Sequence, residues 1–285
     1  MNLPRNNFLS EILETKIVID VVDVGANPID EIPPYTNLLK SGHVNLVGFE
    51  PNPDALAKLI ANKGDNETYF PFAIADGNIH EFKICKAPGM SSLLEPNTDL
   101  LNYFHGFPDW GQVLSRKKID TVRLDEVKEI KNMDYIKIDI QGGELLAFKN
   151  ATRLLSNCCV IHTEVEFLPM YIDQPLFSEV EIFLRQQGFL FHRFQPLASR
   201  VIQPLLLEDD IYREFVQTFW ADAIFVRDFT QLKKLTTKKL LKLACILHDI
   251  YKSWDLVLRT LLTHDELDGT NYADTYLKVL TGDNS

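Results

Sequence analysis

The run Ile17-Val18-Ile19-Asp20-Val21-Val22, followed by Asp23-Val24-Gly25-Ala26-Asn27, constrains this chain more than any other segment. Five of its first six residues are β-branched and apolar, which suits a strand buried on both faces. An acid, a glycine, an alanine and an asparagine close it, and these let the backbone turn sharply with little side chain in the way. A buried strand running into an acidic, glycine-bearing turn is how an open α/β sheet begins a nucleoside pocket.

Up to about residue 226 the chain alternates strand and helix signals. Apolar runs at 17–22 and 44–49 predict strands, and Asp54 to Asn62 predicts a helix. Glu67 to Ala75 and His80 to Cys85 carry strand alternation, Thr121 to Leu124 is a shorter piece, and Tyr135 to Ile140 is a strong strand. A helical pattern follows from Glu144 to Leu155, then a strand from Cys158 to Val165 and a helix from Phe177 to Gln187. Phe189 to Arg193 and Phe219 to Val226 read as the last strands. Strands separated by helices predict an α/β fold with a mostly parallel, doubly wound sheet. From Leu232 to Leu262 apolar residues recur at helical spacing, and Leu280 closes a further short helix. The chain therefore divides into an α/β domain over 1–229 and a helical C-terminal extension over 230–285. The surplus apolar residues and Trp254 of the extension call for a surface to cover, on the domain or on a second copy of the chain.

A hydrophobic content of 46% and a charged content of 24% are those of a globular protein. The net charge of −11 leaves no excess of Lys and Arg to neutralise phosphates, so a nucleic-acid partner is not expected. Lys233-Lys234 with Lys238-Lys239 is the one basic cluster, and it reads as the solvated face of a helix. The segment Met1 to Asn7 lacks a signal-peptide core, and no apolar run is long enough to span a bilayer. Cys85, Cys158, Cys159 and Cys245 show no CxxC or Cys/His spacing, so zinc is not expected. Small buried cysteines fit a reducing, cytoplasmic setting.

The first turn carries one glycine, Gly25, where a pyrophosphate site uses three. Pro28 and Ile29 follow Asn27, so close approach to phosphates is not provided. A nucleoside without phosphates does not need it, and S-adenosylmethionine is such a ligand. Asp23 suits its cationic amino-acid end. Glu50, closing the second strand in Phe49-Glu50-Pro51-Asn52, can accept hydrogen bonds from both hydroxyls of a ribose. Asp76 stands where an adenine amine would lie, although Asp76-Gly77 is equally a turn.

Asp23-Val24-Gly25-Ala26-Asn27, Phe49-Glu50-Pro51-Asn52 and Ala73-Ile74-Ala75-Asp76 stand in the order seen in FkbM-type methyltransferases. Asp134-Tyr135-Ile136-Lys137-Ile138-Asp139-Ile140-Gln141-Gly142-Gly143-Glu144 completes that order, and the chain resembles this family over roughly residues 15–227. Ser91-Ser92-Leu93-Leu94, Val122-Arg123-Leu124-Asp125, Glu164 and Met170-Tyr171 fit as well. The resemblance implies a Rossmann-like class I methyltransferase fold, S-adenosylmethionine as donor and an O-methyl product. Ile29 stands where the family often has glycine, and Gln141-Gly142-Gly143 replaces the commoner Glu-Gly-Ala.

A hydroxyl acceptor must lose a proton during methyl transfer, to a carboxylate, a histidine or a metal-bound base. Asp139 ends a central strand beside the cofactor crevice. His162, Glu164 and Glu166 are spaced by two on the next strand and share a face. Asp139 and Glu164 are therefore the expected acceptor-side groups, and His162 is either the general base or a hydrogen-bonded core histidine. Clustered carboxylates could also hold Mg²⁺, though they serve equally to bind sugar hydroxyls. Lys137 shares a strand face with Asp139 and can neutralise it, while Glu144 begins the next helix. Tyr103, His105, Phe107 and Trp110 form either an acceptor cover or a surface loop with buried anchors.

The sequence thus predicts S-adenosylmethionine-dependent O-methylation of a carbohydrate or small metabolite. The donor would be held by Asp23, Gly25, Asn27, Glu50 and Asp76, and a homo-oligomer could form through the C-terminal helices. The rival readings are a non-catalytic interaction module on the same fold and, less favoured, a nicotinamide-dependent oxidoreductase.

Overall fold

The structure, a computed structural model, describes residues 7–27 and 32–282. The readings placed on residues 1–6 and on Pro28 and Ile29 lie outside the described residues. In chain order the strands are β1 (Ile19–Val24), β2 (Val44–Phe49), β3 (Glu67–Phe70), β4 (Ala73–Ile74) and β5 (Ile79–Cys85). They continue as β6 (Val113–Val122), β7 (Tyr135–Ile138), β8 (Val160–Glu166), β9 (Phe189–Arg200) and β10 (Gln217–Arg227).

Seven strands form one sheet in the order β3-β2-β1-β7-β8-β10-β9. The first five run parallel, and β10 lies antiparallel between β8 and β9. Strand order reverses at β1, which has β2 on one side and β7 on the other, so a crevice opens at the carboxyl ends of these strands. This is the expected Rossmann-like class I methyltransferase plan.

Alternation along the strands divides the core in two. Ile19, Val21, Leu46, Tyr135, Val160 and Ile224 face one side. Val22, Val24, Ile136, Ile138, Ile161 and Phe225 face the other, against Leu145 and Phe148 of helix Glu144–Lys149 and Val180 and Leu184 of helix Phe177–Gln186. The C-terminal helices Thr237–Asp249, Trp254–Asp268 and Tyr272–Thr281 are the elements expected there. Their buried Leu240, Leu243, Leu247, Val257, Leu261 and Tyr276 join the first of these layers directly, with Trp254 packed against it. The apolar surplus of this region therefore covers the chain's own sheet.

An ion cluster fixes that docking. Asp134 is completely buried, and its carboxylate receives Lys239 at 2.5 Å and Lys242, which also reaches Asp20 at 3.0 Å. Lys239, read from sequence as part of a solvated face, instead leaves that face to pair with Asp134. Burial works against ionising Asp20, but hydrogen bonds from Asn45 and Lys242 outweigh it and hold the carboxyl below its ordinary 3.8. Its contribution is present above that value and is lost as pH falls through the folded range.

Several boundaries differ from the sequence reading for local reasons. The expected helix over 144–155 breaks into Glu144–Lys149 and Thr152–Leu155. Asn150 turns its amide back onto the Leu146 carbonyl at 2.9 Å, and Asp125 caps the second piece through the Arg153 and Leu154 N–H groups. Strand β6 begins eight residues before Thr121, at Val113, because the Ser115-Arg116-Lys117-Lys118 stretch is exposed and carries no apolar alternation. It joins β4 and β5 in a small second sheet. Phe104 and Phe107 are buried against Phe219, so the aromatic segment has buried anchors, and a short helix forms over Phe107–Trp110.

Removing one cation from a buried pair leaves an uncompensated carboxylate. Lys242→Met is expected to destabilise the protein by about 3 kcal/mol, the low end of that class because Lys239 remains. Urea unfolding monitored by circular dichroism checks this, and a change within 0.5 kcal/mol (roughly that of an ordinary surface substitution) would remove the cluster from its anchoring role.

Candidate active site

Gly25 adopts φ +80°, and a Cβ at this position would run into the backbone carbonyl of Asp139. Both its freedom in φ and its lack of a side chain are therefore required. The N–H groups of Gly25 and Ala26 both bond the Phe49 carbonyl at 3.0 Å, and the Asp139 N–H bonds the Val24 carbonyl at 3.0 Å. The turn after β1 is thus laced to the ends of β2 and β7. Glu50 is buried beside it, accepts the Asn52 N–H at 2.7 Å and faces the backbone N–H of Asn27. Burial raises the Glu50 carboxyl above its ordinary value, and these two N–H groups oppose that shift.

Asp23 is only 1% exposed. One of its oxygens accepts the Tyr35 hydroxyl, while Oδ1 is buried without a partner. Burial raises its pKa, and nearby Lys137 pulls the other way. An unpartnered buried acceptor beside a glycine cradle fits a cationic group at the end of a nucleoside. Asp76 is placed differently. Its carboxylate bonds the Asn78 N–H at 3.1 Å, the Asn78 amide at 2.8 Å and His80 Nε2 at 2.7 Å. Burial acts against ionisation there, but His80 and Asn78 hold the carboxyl well below its ordinary value. Its side chain is engaged in the turn that sequence reading held as the alternative.

Asp139 and Glu164, the two residues expected on the acceptor side, come together. The Gln141 side-chain amide donates to Asp139 Oδ1 at 2.9 Å and to Glu164 Oε2 at 2.8 Å. Asp139, Glu144 and Glu164 each bring a carboxylate oxygen within 4.8 Å of the other two. Glu144 begins its helix as expected, but its carboxylate folds back to accept the Ile140 N–H at 2.8 Å. Burial, with Asp139 adding to it, pushes Glu144 up to about 7. Glu164 and Glu166 also rise well above the carboxylate range, first through burial and then through their acidic neighbours. Such oxygens resemble the donor set of a hard divalent cation. Between two of them, however, lies the Gln141 NH₂ group, which offers hydrogens rather than lone pairs.

Lys137 faces the same cluster. Burial would lower its pKa, but Asp23, Asp139, Asp222 and Glu164 outweigh this and raise it. His162 sits deeper, at 6% exposure, with Nδ1 3.0 Å from the Tyr251 hydroxyl and Nε2 2.9 Å from Asp222. Both nitrogens are engaged, so His162 takes the form of the hydrogen-bonded core histidine rather than a base open to an acceptor.

Three residues in this constellation were not legible as site groups. Gln141 lies in a glycine-rich turn at φ +57°, where its side-chain direction cannot be read from strand or helix periodicity. Tyr171 enters the sequence reading only through the family resemblance, yet it is fully buried with its hydroxyl 3.1 Å from Gln141 Oε1. Tyr251 lies 89 residues from His162, beyond any local signal.

A group raised by burial makes folding favour its protonated form. Stability is therefore expected to fall as pH rises from 4.5, the ordinary Glu144 value, through about 7. Glu144→Gln, which keeps an acceptor for Ile140, should remove up to about 3 kcal/mol of that decline. Urea midpoints measured across pH 4–8 test this, and identical slopes for the two proteins would contradict the burial argument.

Residues 23–191 match the family described as Methyltransferase FkbM domain. No curated protein matches the chain. Among solved structures, a precorrin-6y C5,15-methyltransferase from Geobacter metallireducens is 12% identical, with 76% of this chain and 84% of that one covered at a TM-score of 0.36. TrmK of M. capricolum in complex with S-adenosylhomocysteine is 12% identical, covering 95% and 97% at 0.32. A 16S rRNA adenine-N1 methyltransferase from Catenulisporales acidiphilia is 11% identical, covering 77% and 91% at 0.32.

Proposed function

We propose that this chain, which belongs to the FkbM methyltransferase family, methylates a hydroxyl of a carbohydrate or small metabolite. Its methyl donor is S-adenosylmethionine. The observation that carries the hydroxyl reading is the pair Asp139 and Glu164, bridged by Gln141 at the ends of adjacent strands and beside the Gly25 turn.

The donor, when bound, supplies a methyl group activated by a sulfonium. Gly25 leaves the space for it, and Asp23 Oδ1 and Glu50 are the acceptors available to its amine and its ribose hydroxyls. The backbone N–H of Asn27 faces the Glu50 carboxylate. In-line displacement depends chiefly on positioning, and carboxylates that bind an acceptor hydroxyl supply both orientation and a place for its proton. Asp139 and Glu164 take these roles. His162 acts behind them, holding Asp222 near Lys137 and Glu164. Asp76 contributes by shaping the turn after β4.

No helix among the described residues is long and apolar enough to cross a membrane.

Calorimetric titration with S-adenosylhomocysteine tests the donor assignment. Native protein is expected to bind it, and Glu50→Ala to bind about 10- to 100-fold more weakly, as for loss of a hydrogen bond to a charged group. An unchanged affinity would contradict the ribose role. Binding of a nicotinamide dinucleotide in its place would favour the oxidoreductase reading.

A further inference from the structure

We infer that Arg200, stacked on Trp220 near the Asp139 and Glu164 pair, recognises a negatively charged group of the acceptor, a carboxylate or a phosphate. This inference rests on the hydroxyl-methylation reading and deepens it. The acceptor is an acidic sugar or an acidic metabolite, and Arg200 selects it.

Arg200 ends β9, and its guanidinium lies 4.4 Å over the Trp220 ring. Stacking occupies the face of a guanidinium and leaves its N–H edges for other partners. Nη1 donates to the Ser199 carbonyl at 2.7 Å. Nε is buried with no hydrogen-bond partner, and no carboxylate among the described residues pairs with the group. Burial works against its charge, and the acids that oppose this, Glu214 and Asp210, are exposed and act from a distance. An arginine stays charged in a protein, so a half-buried one without a protein counterion calls for one from a ligand.

The other arginines are satisfied within the fold or at its surface. Arg227 is also stacked on an aromatic ring, but it donates to the carbonyls of Cys158, Gln187 and Leu155. Arg116, Arg185 and Arg213 meet glutamates at the surface. Arg193 bonds the Tyr251 carbonyl at 2.6 Å and lies level with Ile224, back toward the C-terminal helices.

The position of Arg200 suits an acceptor group. In the antiparallel pairing of β8 and β10, Asp222 lies opposite Glu164 and Trp220 opposite Glu166. Alternation puts Trp220 on the strand face of Asp222, two residues or roughly 7 Å nearer the mouth of the crevice. Lys137, the cation deeper on this face, is already surrounded by Asp23, Asp139, Asp222 and Glu164. The oxygens of Asp139 and Glu164 suit a hydroxyl, and the free edge of Arg200 suits an anion bound side-on. A sugar ring or a short hydroxylated chain bridges the two.

The test follows the charge of the product. Native protein is given labelled donor and fractionated glycan and metabolite extracts, and the methylated product is passed over an anion exchanger at neutral pH. The product is expected to be retained, and phosphatase treatment then separates a phosphate, which is removed, from a carboxylate, which stays. In Arg200→Gln the KM for that acceptor should rise about 10- to 100-fold, as for loss of a hydrogen bond between charged groups, with kcat little changed. Arg200→Lys, which keeps the charge without the fork, should fall between the two. S-adenosylhomocysteine affinity should be the same in all three, which a general loss of the fold would not allow. Independently of any variant, inorganic phosphate or acetate should compete with the acceptor on native protein more strongly than chloride at equal ionic strength. A product that passes the exchanger unretained would overturn the assignment. So would an unchanged KM in folded Arg200→Gln, or neither anion acting better than chloride. Absence of any transfer by native protein would instead refute the methylation reading on which the assignment rests.

Discussion

The approach of the Gly25 backbone to the Asp139 carbonyl is the contact on which the rest of the site depends. It joins the turn after β1 to the loop after β7, across the point where strand order reverses. A side chain at residue 25 would force these loops apart. The unpartnered oxygen of Asp23 and the paired acids Asp139 and Glu164 would then no longer open on one crevice. Hydrogen bonds from Gly25 and Ala26 to Phe49, and from Asp139 to Val24, fix the same junction from the backbone side. The junction is thus set by main-chain geometry before any side chain is placed.

Around that junction the sheet face is graded in polarity. Towards the amino ends of the strands it is apolar and carries the C-terminal helices, with the Asp134, Lys239 and Lys242 cluster closing the edge. Towards the carboxyl ends the same face carries Asp23, Lys137, Asp139, His162, Glu164 and Asp222. Tyr251 stands at the boundary, its hydroxyl 2.8 Å from that of Tyr135 and 3.0 Å from His162. The C-terminal region lies beyond the residues that match the family, yet it supplies both the cover of the core and a partner to a residue behind the acids.

Much of this was legible in the sequence where burial is two-sided. β1 and β8 are rich in β-branched residues, and an acid stands at or beside the carboxyl end of each central strand: Asp23, Glu50, Asp139 and Glu166. Gly25 could be read because its neighbours left it no bulk to share. The reading weakened wherever a residue's role depends on a distant partner. His162 has the residue type of a base, but Asp222 and Tyr251 occupy both of its nitrogens. Glu144 looked like a helix-start charge, and it is one, but its folded-back carboxylate also joins the acidic cluster. Strand β6 was missed at its exposed end because a wet strand needs no apolar alternation, and Gln141 because a left-handed turn residue obeys no period.

The most direct measurement is transfer of a labelled methyl group from S-adenosylmethionine into fractionated glycan and metabolite extracts by native protein, Asp139→Asn and Glu164→Gln. S-adenosylhomocysteine binding is followed in parallel to show that the donor site survives. Label appearing as a methyl ether with native protein, and falling by about 100-fold or more in variants that still bind the product, is the predicted result. Undiminished transfer by both variants, or label found on nitrogen or carbon instead of oxygen, would contradict the assignment of the paired acids to a hydroxyl acceptor.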